Sequence, residues 1–249
     1  MELIPGAEPW SVEGGPLGAL CLHGFTGNPS SMRPVAEAFA AAGFAVELPR
    51  LPGHGTTVAD MIGTGWDDWS AEVEAAYQRL AVRCRSVVVA GLSMGGTLTV
   101  WLATRHPEIA GIVPINPATT TQPDEVLDMV RGMLEEGTTV LPGIGSDIAK
   151  EGVVETAYPE TPLAPLLSLQ DAIAAMQADL PRITCPVLLM TSPQDHVVDP
   201  ASSDHLAASV SGPVERVALE RSFHVATLDH DAELICERAV AFARRVTGG

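Results

Sequence analysis

An α/β fold with a mostly parallel central sheet flanked by helices is predicted by three observations. Short apolar runs rich in Val, Ile and Leu alternate with helix-patterned stretches, as expected when each strand is followed by a crossover helix. One unit, residues 87–97 (VVVAGLSMGGT), passes from strand to helix through Gly91-Leu92-Ser93-Met94-Gly95. The rhythm then breaks after the strand ending near Asn116 and resumes only at Pro186. At 249 residues the chain is expected to form a single domain, 1–249, with residues 117–180 as a cap inserted within it.

The elements follow in order. Residues 17–23 (LGALCLH) are continuously apolar, as a strand buried on both faces must be, and end in His23-Gly24-Phe25-Thr26-Gly27. Ser30 or Ser31 is expected to cap a helix reaching Ala42, with Pro34 in its first turn and Gly43 as its stop. A strand over 44–48 leads into the Gly- and Pro-rich loop 49–55, whose His54 reads as a structural histidine bonded to backbone groups. A helix beginning at Asp67 or Asp68 runs to Arg83 with Trp69, Val73, Ala76, Tyr77 and Leu80 on one face. Next come the strand of Val87, Val88 and Val89, a helix from Gly96 to His106 and a buried strand over 111–116. From Pro117 to about Leu180 no strand is expected, only weak helices broken by Pro123, Pro142, Pro159, Pro162 and Pro165. Its apolar residues, among them Leu127, Met129, Val130, Met133, Leu134, Ile144 and Ile148, suit an acyl-chain pocket or simple packing onto the body. Strand 186–191, helix 201–210, strand 214–219 and a helix over 231–246 complete the chain.

Composition narrows the partners. A formal net charge of −17 repels nucleic acid and anionic membrane surfaces. No apolar run approaches the roughly 18 residues of a membrane span, and the start MELIPGAEPW has no signal-peptide pattern, so a cytoplasmic protein is expected. Cys21, Cys84, Cys185 and Cys236 are widely spaced without a C-x-x-C, which suits unpaired thiols in a reducing compartment and no metal site.

The chemistry converges on Ser93. A serine between glycines at a strand-to-helix turn stands exposed on strained backbone, with the positive end of the following helix aimed at it. Its hydroxyl needs a base and a carboxylate to orient that base. His224, in a loop after the last strand, is the best base, since His106 ends a helix, His205 lies in a surface helix and His230 comes late. Asp195, a few residues beyond strand 186–191, is the best orienter, with Asp199 as runner-up. The backbone N–H groups of Met94 and Phe25 are the expected oxyanion donors. Acyl transfer through Ser93, without metal or cofactor, is the reaction such a set performs.

The order Ser93, Asp195, His224 is that of α/β-hydrolases. Through HGFTGNPSSMRP, LPRLPGHGT, GLSMGGTLT, GIVPIN, IGSD, QDHVV and HVATLD the chain resembles the small bacterial monoacylglycerol lipases and their carboxylesterase relatives. The resemblance implies the same triad and oxyanion donors, a substrate contact for Ile144 in the cap, and a glycerol-binding role for Glu155. It implies a monoacylglycerol substrate, with short or medium acyl esters as the alternative, and the cap could touch a lipid surface transiently. Phe223 departs from it: carboxylesterase relatives often carry Gly before the base and the lipase branch Tyr.

Overall fold

The computed structural model describes residues 2–248. Seven strands form one sheet: β1 (Trp10–Val12), β2 (Leu17–Leu22), β3 (Ala45–Leu48), β4 (Ser86–Leu92), β5 (Gly111–Ile115), β8 (Val187–Thr191) and β9 (Val214–Ala218), in the order β1-β3-β2-β4-β5-β8-β9. Every neighbouring pair is parallel except β1 with β3, which is antiparallel at one edge. The predicted parallel sheet is therefore present, with one edge strand the sequence pattern did not reveal. Three half-buried or exposed residues are too few to print an alternation.

Helices cover both faces, which explains the uninterrupted apolar runs. In β4, Val87 and Val89 pack toward Trp69, Leu80, Leu98 and Leu102, from α3 (Trp66–Ala81) and α4 (Met94–Arg105). Val88 and Ala90 face the opposite layer, where α1 (Arg33–Ala41) and α8 (Ala232–Thr247) supply Val35, Phe39, Ile235 and Phe242. Because a strand's side chains alternate between faces, both sets must be apolar when both faces are covered. A short helix, α2 (Val58–Ile62), and the helix α7 (Ala201–Ser209) complete the body. No helix among the described residues is long and apolar enough to cross a membrane.

Two expectations are corrected here. Neither Ser30 nor Ser31 caps α1: Asn28 accepts from Ser30 N at the start of a 3-10 turn, Pro29–Ser31, and α1 begins only at Arg33. Nor is the segment after β5 free of strands. Between α5 (Asp124–Glu135) and α6 (Leu163–Met176) it forms an antiparallel pair, β6 (Val140–Pro142) and β7 (Glu160–Pro162). Each has three residues ending in proline, so composition pointed to loop while pairing across the chain made strand.

Parallel pairing gathers the functional loops at one rim. The rungs Leu22↔Gly91, Leu92↔Ile115 and Ile115↔Met190 bring the ends of β2, β4, β5 and β8 level, and Thr191↔Ala218 adds β9. His23–Gly27, Ser93, Asn116, Asp195 and His224 all follow strand ends on that rim.

Candidate active site

Ser93 occupies φ 57°, ψ −120°, a strained conformation for a residue with a side chain. What holds it there is close backbone approach on both sides. A Cβ on Gly91 would lie 2.1 Å from Gly95 O, and one on Gly95 would lie 2.1 Å from Leu22 O, so only glycine lets the turn reverse this tightly. Ser93 N donates to Ile115 O (2.9 Å) and Ser93 O accepts from Thr97 N (3.0 Å), tying the turn to β5 and opening α4. The half-buried hydroxyl therefore stands at the positive end of α4.

Asp195 and His224 meet at 2.7 Å, Oδ2 to Nδ1, with side chains only 2% and 8% exposed. The other Asp195 oxygen accepts from Val197 N and Val198 N, at 2.8 Å each. A carboxylate oxygen facing Nδ1 selects the tautomer with hydrogen on Nδ1, which leaves the Nε2 lone pair free. Asp199, the runner-up, instead accepts from Ala201 N at the start of α7.

Asn116 organises the three loops, a role sequence reasoning missed. Its Nδ2 donates to His224 O (2.8 Å), its Oδ1 accepts from Ser192 N (2.7 Å), and its own N donates to Met190 O (2.9 Å). Because Ile115, its neighbour, anchors Ser93, adjacent residues hold Ser93 and His224. Among the described residues no hydrogen bond joins the Ser93 hydroxyl to His224; such contacts are often long before substrate binds and tighten in the reacting complex.

The loop after β2 lies against the same serine, since a Cβ on Gly24 would approach Ser93 Cβ to 3.4 Å. His23 fixes this loop. Its Nε2 accepts from Leu51 N (3.1 Å) while Nδ1 faces Gly24 O (3.0 Å), which requires the neutral Nδ1–H tautomer. Burial, reinforced by His54, holds its pKa well below the usual value and keeps that form in place. His54 has the expected structural role, with Nδ1 on Pro52 O at 2.9 Å. Among the described residues neither Phe25 N–H nor Met94 N–H donates within the protein.

The inserted segment contributes Glu155. This half-buried side chain lies over the turn after β2, where a Cβ on Gly27 would come within 2.9 Å of its Oε1. Burial raises its pKa, while His224 and the Ser31 hydroxyl act in the opposite direction. Ile144 is 69% exposed. Leu127 and Val130 are buried as packing residues, whereas Met129 is exposed. A groove of about 610 Å³ between α3, α4 and α6, lined by Trp66, Trp101, Leu167 and Met176, includes none of Ser93, Asp195 or His224.

Comparison with known proteins adds the following. The family Hydrolase_4, described as serine aminopeptidase, S33, matches residues 18–231. The chain is 47% identical over 249 residues to a thermostable monoacylglycerol lipase of Bacillus sp. (strain H-257), covering 99% of this chain and 98% of that protein. It is 28% identical over 243 residues to a carboxylesterase of Bacillus subtilis (strain 168), covering 96% and 97%. A solved structure from work on LipS and LipT, two metagenome-derived lipolytic enzymes, superposes with a TM-score of 0.93 at 46% identity, covering 98% of this chain and 100% of that one.

Proposed function

From a chain that belongs to the Hydrolase_4 family of serine hydrolases, within the α/β-hydrolases, we infer a serine ester hydrolase that cleaves monoacylglycerols to fatty acid and glycerol. The observation that carries the substrate is Glu155, a half-buried carboxylate whose Oε1 lies against Gly27 in the loop that also borders Ser93. A carboxylate accepts hydrogen bonds from both free hydroxyls of a monoglyceride, whereas a diglyceride offers one and a triglyceride none.

In this reading Ser93 Oγ attacks the ester carbonyl carbon as its proton passes to His224 Nε2. The oxyanion accepts from Met94 N–H and Phe25 N–H, each such donor typically contributing about 3 kcal/mol to the transition state. The C–O bond breaks and His224 returns the proton to departing glycerol. Water then attacks the acyl-enzyme, its proton taken by His224 and passed to Ser93 as the fatty acid leaves. Asp195 holds the imidazole and balances its transient charge. The segment 117–180 serves as a cap over this rim, and its exposed Ile144, Met129 and Val154 offer transient contact to a lipid surface. Four free thiols accord with a cytoplasmic location.

Hydrolysis of a monoglyceride, a diglyceride and a p-nitrophenyl ester by the parent, Ser93→Ala and Glu155→Gln proteins tests this. Ser93→Ala is expected to abolish turnover of all three and to lose labelling by a fluorophosphonate. Glu155→Gln is expected to raise KM for the monoglyceride while sparing the p-nitrophenyl ester. Equal loss on both substrates, or none, would reassign Glu155 and favour a broad carboxylesterase acting on short or medium acyl esters.

A further inference from the structure

We propose that Asp147, in the cap, is a positioning residue that couples the cap to both the acid and the base of the triad. Its Oδ2 accepts from His224 N (3.0 Å) and from His196 N (3.2 Å), the residue directly after Asp195. Its Oδ1 pairs with His196 Nδ1 at 2.8 Å, and its backbone O accepts from Val225 N at 3.0 Å. The side chain is 11% exposed.

These contacts hold the backbone of the base from two sides. Asn116, from the sheet, takes His224 O, while Asp147, from the cap, takes His224 N. The imidazole can then swing only about its own side-chain bonds, and the bond from Nδ1 to Asp195 limits that motion. His196 completes the bracket: its ring stands edge-on to Phe223, centroids 4.6 Å apart, so the residue after the acid also braces the residue before the base. Three donors converge on Asp147, which a carboxylate satisfies with two acceptor oxygens and an amide satisfies incompletely.

A second carboxylate makes the role separable from cap attachment. Asp229 accepts from Ala149 N (2.7 Å), Lys150 N (2.9 Å), Phe223 N (2.9 Å) and His230 N (2.7 Å), latching the cap to the base loop independently of Asp147. Removing the Asp147 side chain therefore frees His224 N, and the His196 N and ring, without releasing the cap.

This assignment rests on the triad proposed above, and the experiment separates the two. Asp147→Ala, Asp147→Asn and Ser93→Ala are prepared in the full chain and assayed on p-nitrophenyl butyrate and a monoglyceride, with a fluorophosphonate titrating the competent sites. Asp147→Ala is expected to label to the same endpoint as the parent, with kcat per titrated site lower by on the order of 100-fold and KM unchanged. Asp147→Asn, which keeps one acceptor oxygen, is expected to recover part of that turnover, with kcat still several-fold below the parent. Unchanged kcat per site, a rise in KM alone, or activity lost only in proportion to titratable sites would overturn the assignment. Should Asp147→Ala fail to fold, Asp147→Asn decides: lowered kcat at unchanged KM and Tm supports the role, and parental kcat overturns it. Turnover retained by Ser93→Ala would end the triad reading and this one with it. A parent active on the nitrophenyl ester alone would end only the monoglyceride reading.

Discussion

The turn that carries Ser93 and the inserted segment 117–180, proposed above as a cap, are held by different physics. Around Ser93 the constraint is steric and made by backbone: the approach to β2 and within the turn is so close that a single methyl would meet a carbonyl oxygen. The cap is fastened by hydrogen bonds from side chains, Asp147, Asp229, Asn28 and Tyr158, to backbone groups spread along the chain. Steric constraints fail all at once, whereas a set of hydrogen bonds weakens one member at a time. Ser93 is thus rigidly placed, and what can be tuned is the inserted segment and the loops it is bonded to.

The sharpest way to break this contrast is Gly95→Ala. Its Cβ would sit 2.1 Å from Leu22 O and 2.7 Å from His23 O, the main chain at the end of β2, against which the start of α4 is packed. A loss above about 4 kcal/mol is expected, seen as insoluble protein or a collapsed unfolding midpoint with no residual turnover. A stable, active Gly95→Ala protein would show that the turn can shift after all.

Acid separates the two regions by pH. Burial lowers the pKa of His54, beneath the loop after β2, to about 4 against its ordinary 6.5, although its bonds to Pro52 and Leu51 oppose the shift. The unfolded chain then binds the proton more readily than the folded one between those values. The contribution is complete above pH 6.5 and is lost as pH falls toward 4, an effect of about 3 kcal/mol. Desolvation opposes it, but backbone N–H bonds from Ala149, Phe223, His230 and Lys150 hold the Asp229 carboxyl below its usual range. Its stabilisation is lost only as pH falls below the ordinary carboxylate value. Urea unfolding across pH should show the body weakening before the cap latch, and protection of cap amides lost first would reverse the order.

Tyr158→Phe probes the cap side alone. The phenol donates to Gly53 O (2.8 Å) and accepts from Thr56 N (2.9 Å), fastening the cap to the loop after β3. Stranding those two groups should cost about 1–3 kcal/mol in denaturant unfolding while leaving kcat on a small ester near parental. Val154→Ser, at a position 74% exposed, should change stability by less than about 0.5 kcal/mol. A large effect there would mean that the cap's outer surface carries structural weight.

Much of this organisation could be read along the chain, because buried parallel strands and a glycine-flanked serine leave local signatures. The runs at β2, β4, β5 and β8 announced themselves by composition, and the loops bearing Asp195 and His224 followed from counting strands. What stayed hidden depends on distance along the chain. Asn116 acts through Ser192 and His224, and Asp147 through His196 and His224, partners that fall anywhere in a linear text. Glu155 was implied only by resemblance, since an isolated glutamate in an irregular stretch looks like solvated surface until Gly27 is seen under it.

The far border of the sheet has a consequence for solubility. β9 pairs only with β8, which leaves a row of main-chain donors and acceptors free to recruit a foreign strand. Glu215, joined to Arg238 and Arg245, and Arg216, joined to Asp204, place fixed charges along that border. A second chain docking there would have to strip water from those ions, which opposes edge-to-edge growth of the sheet.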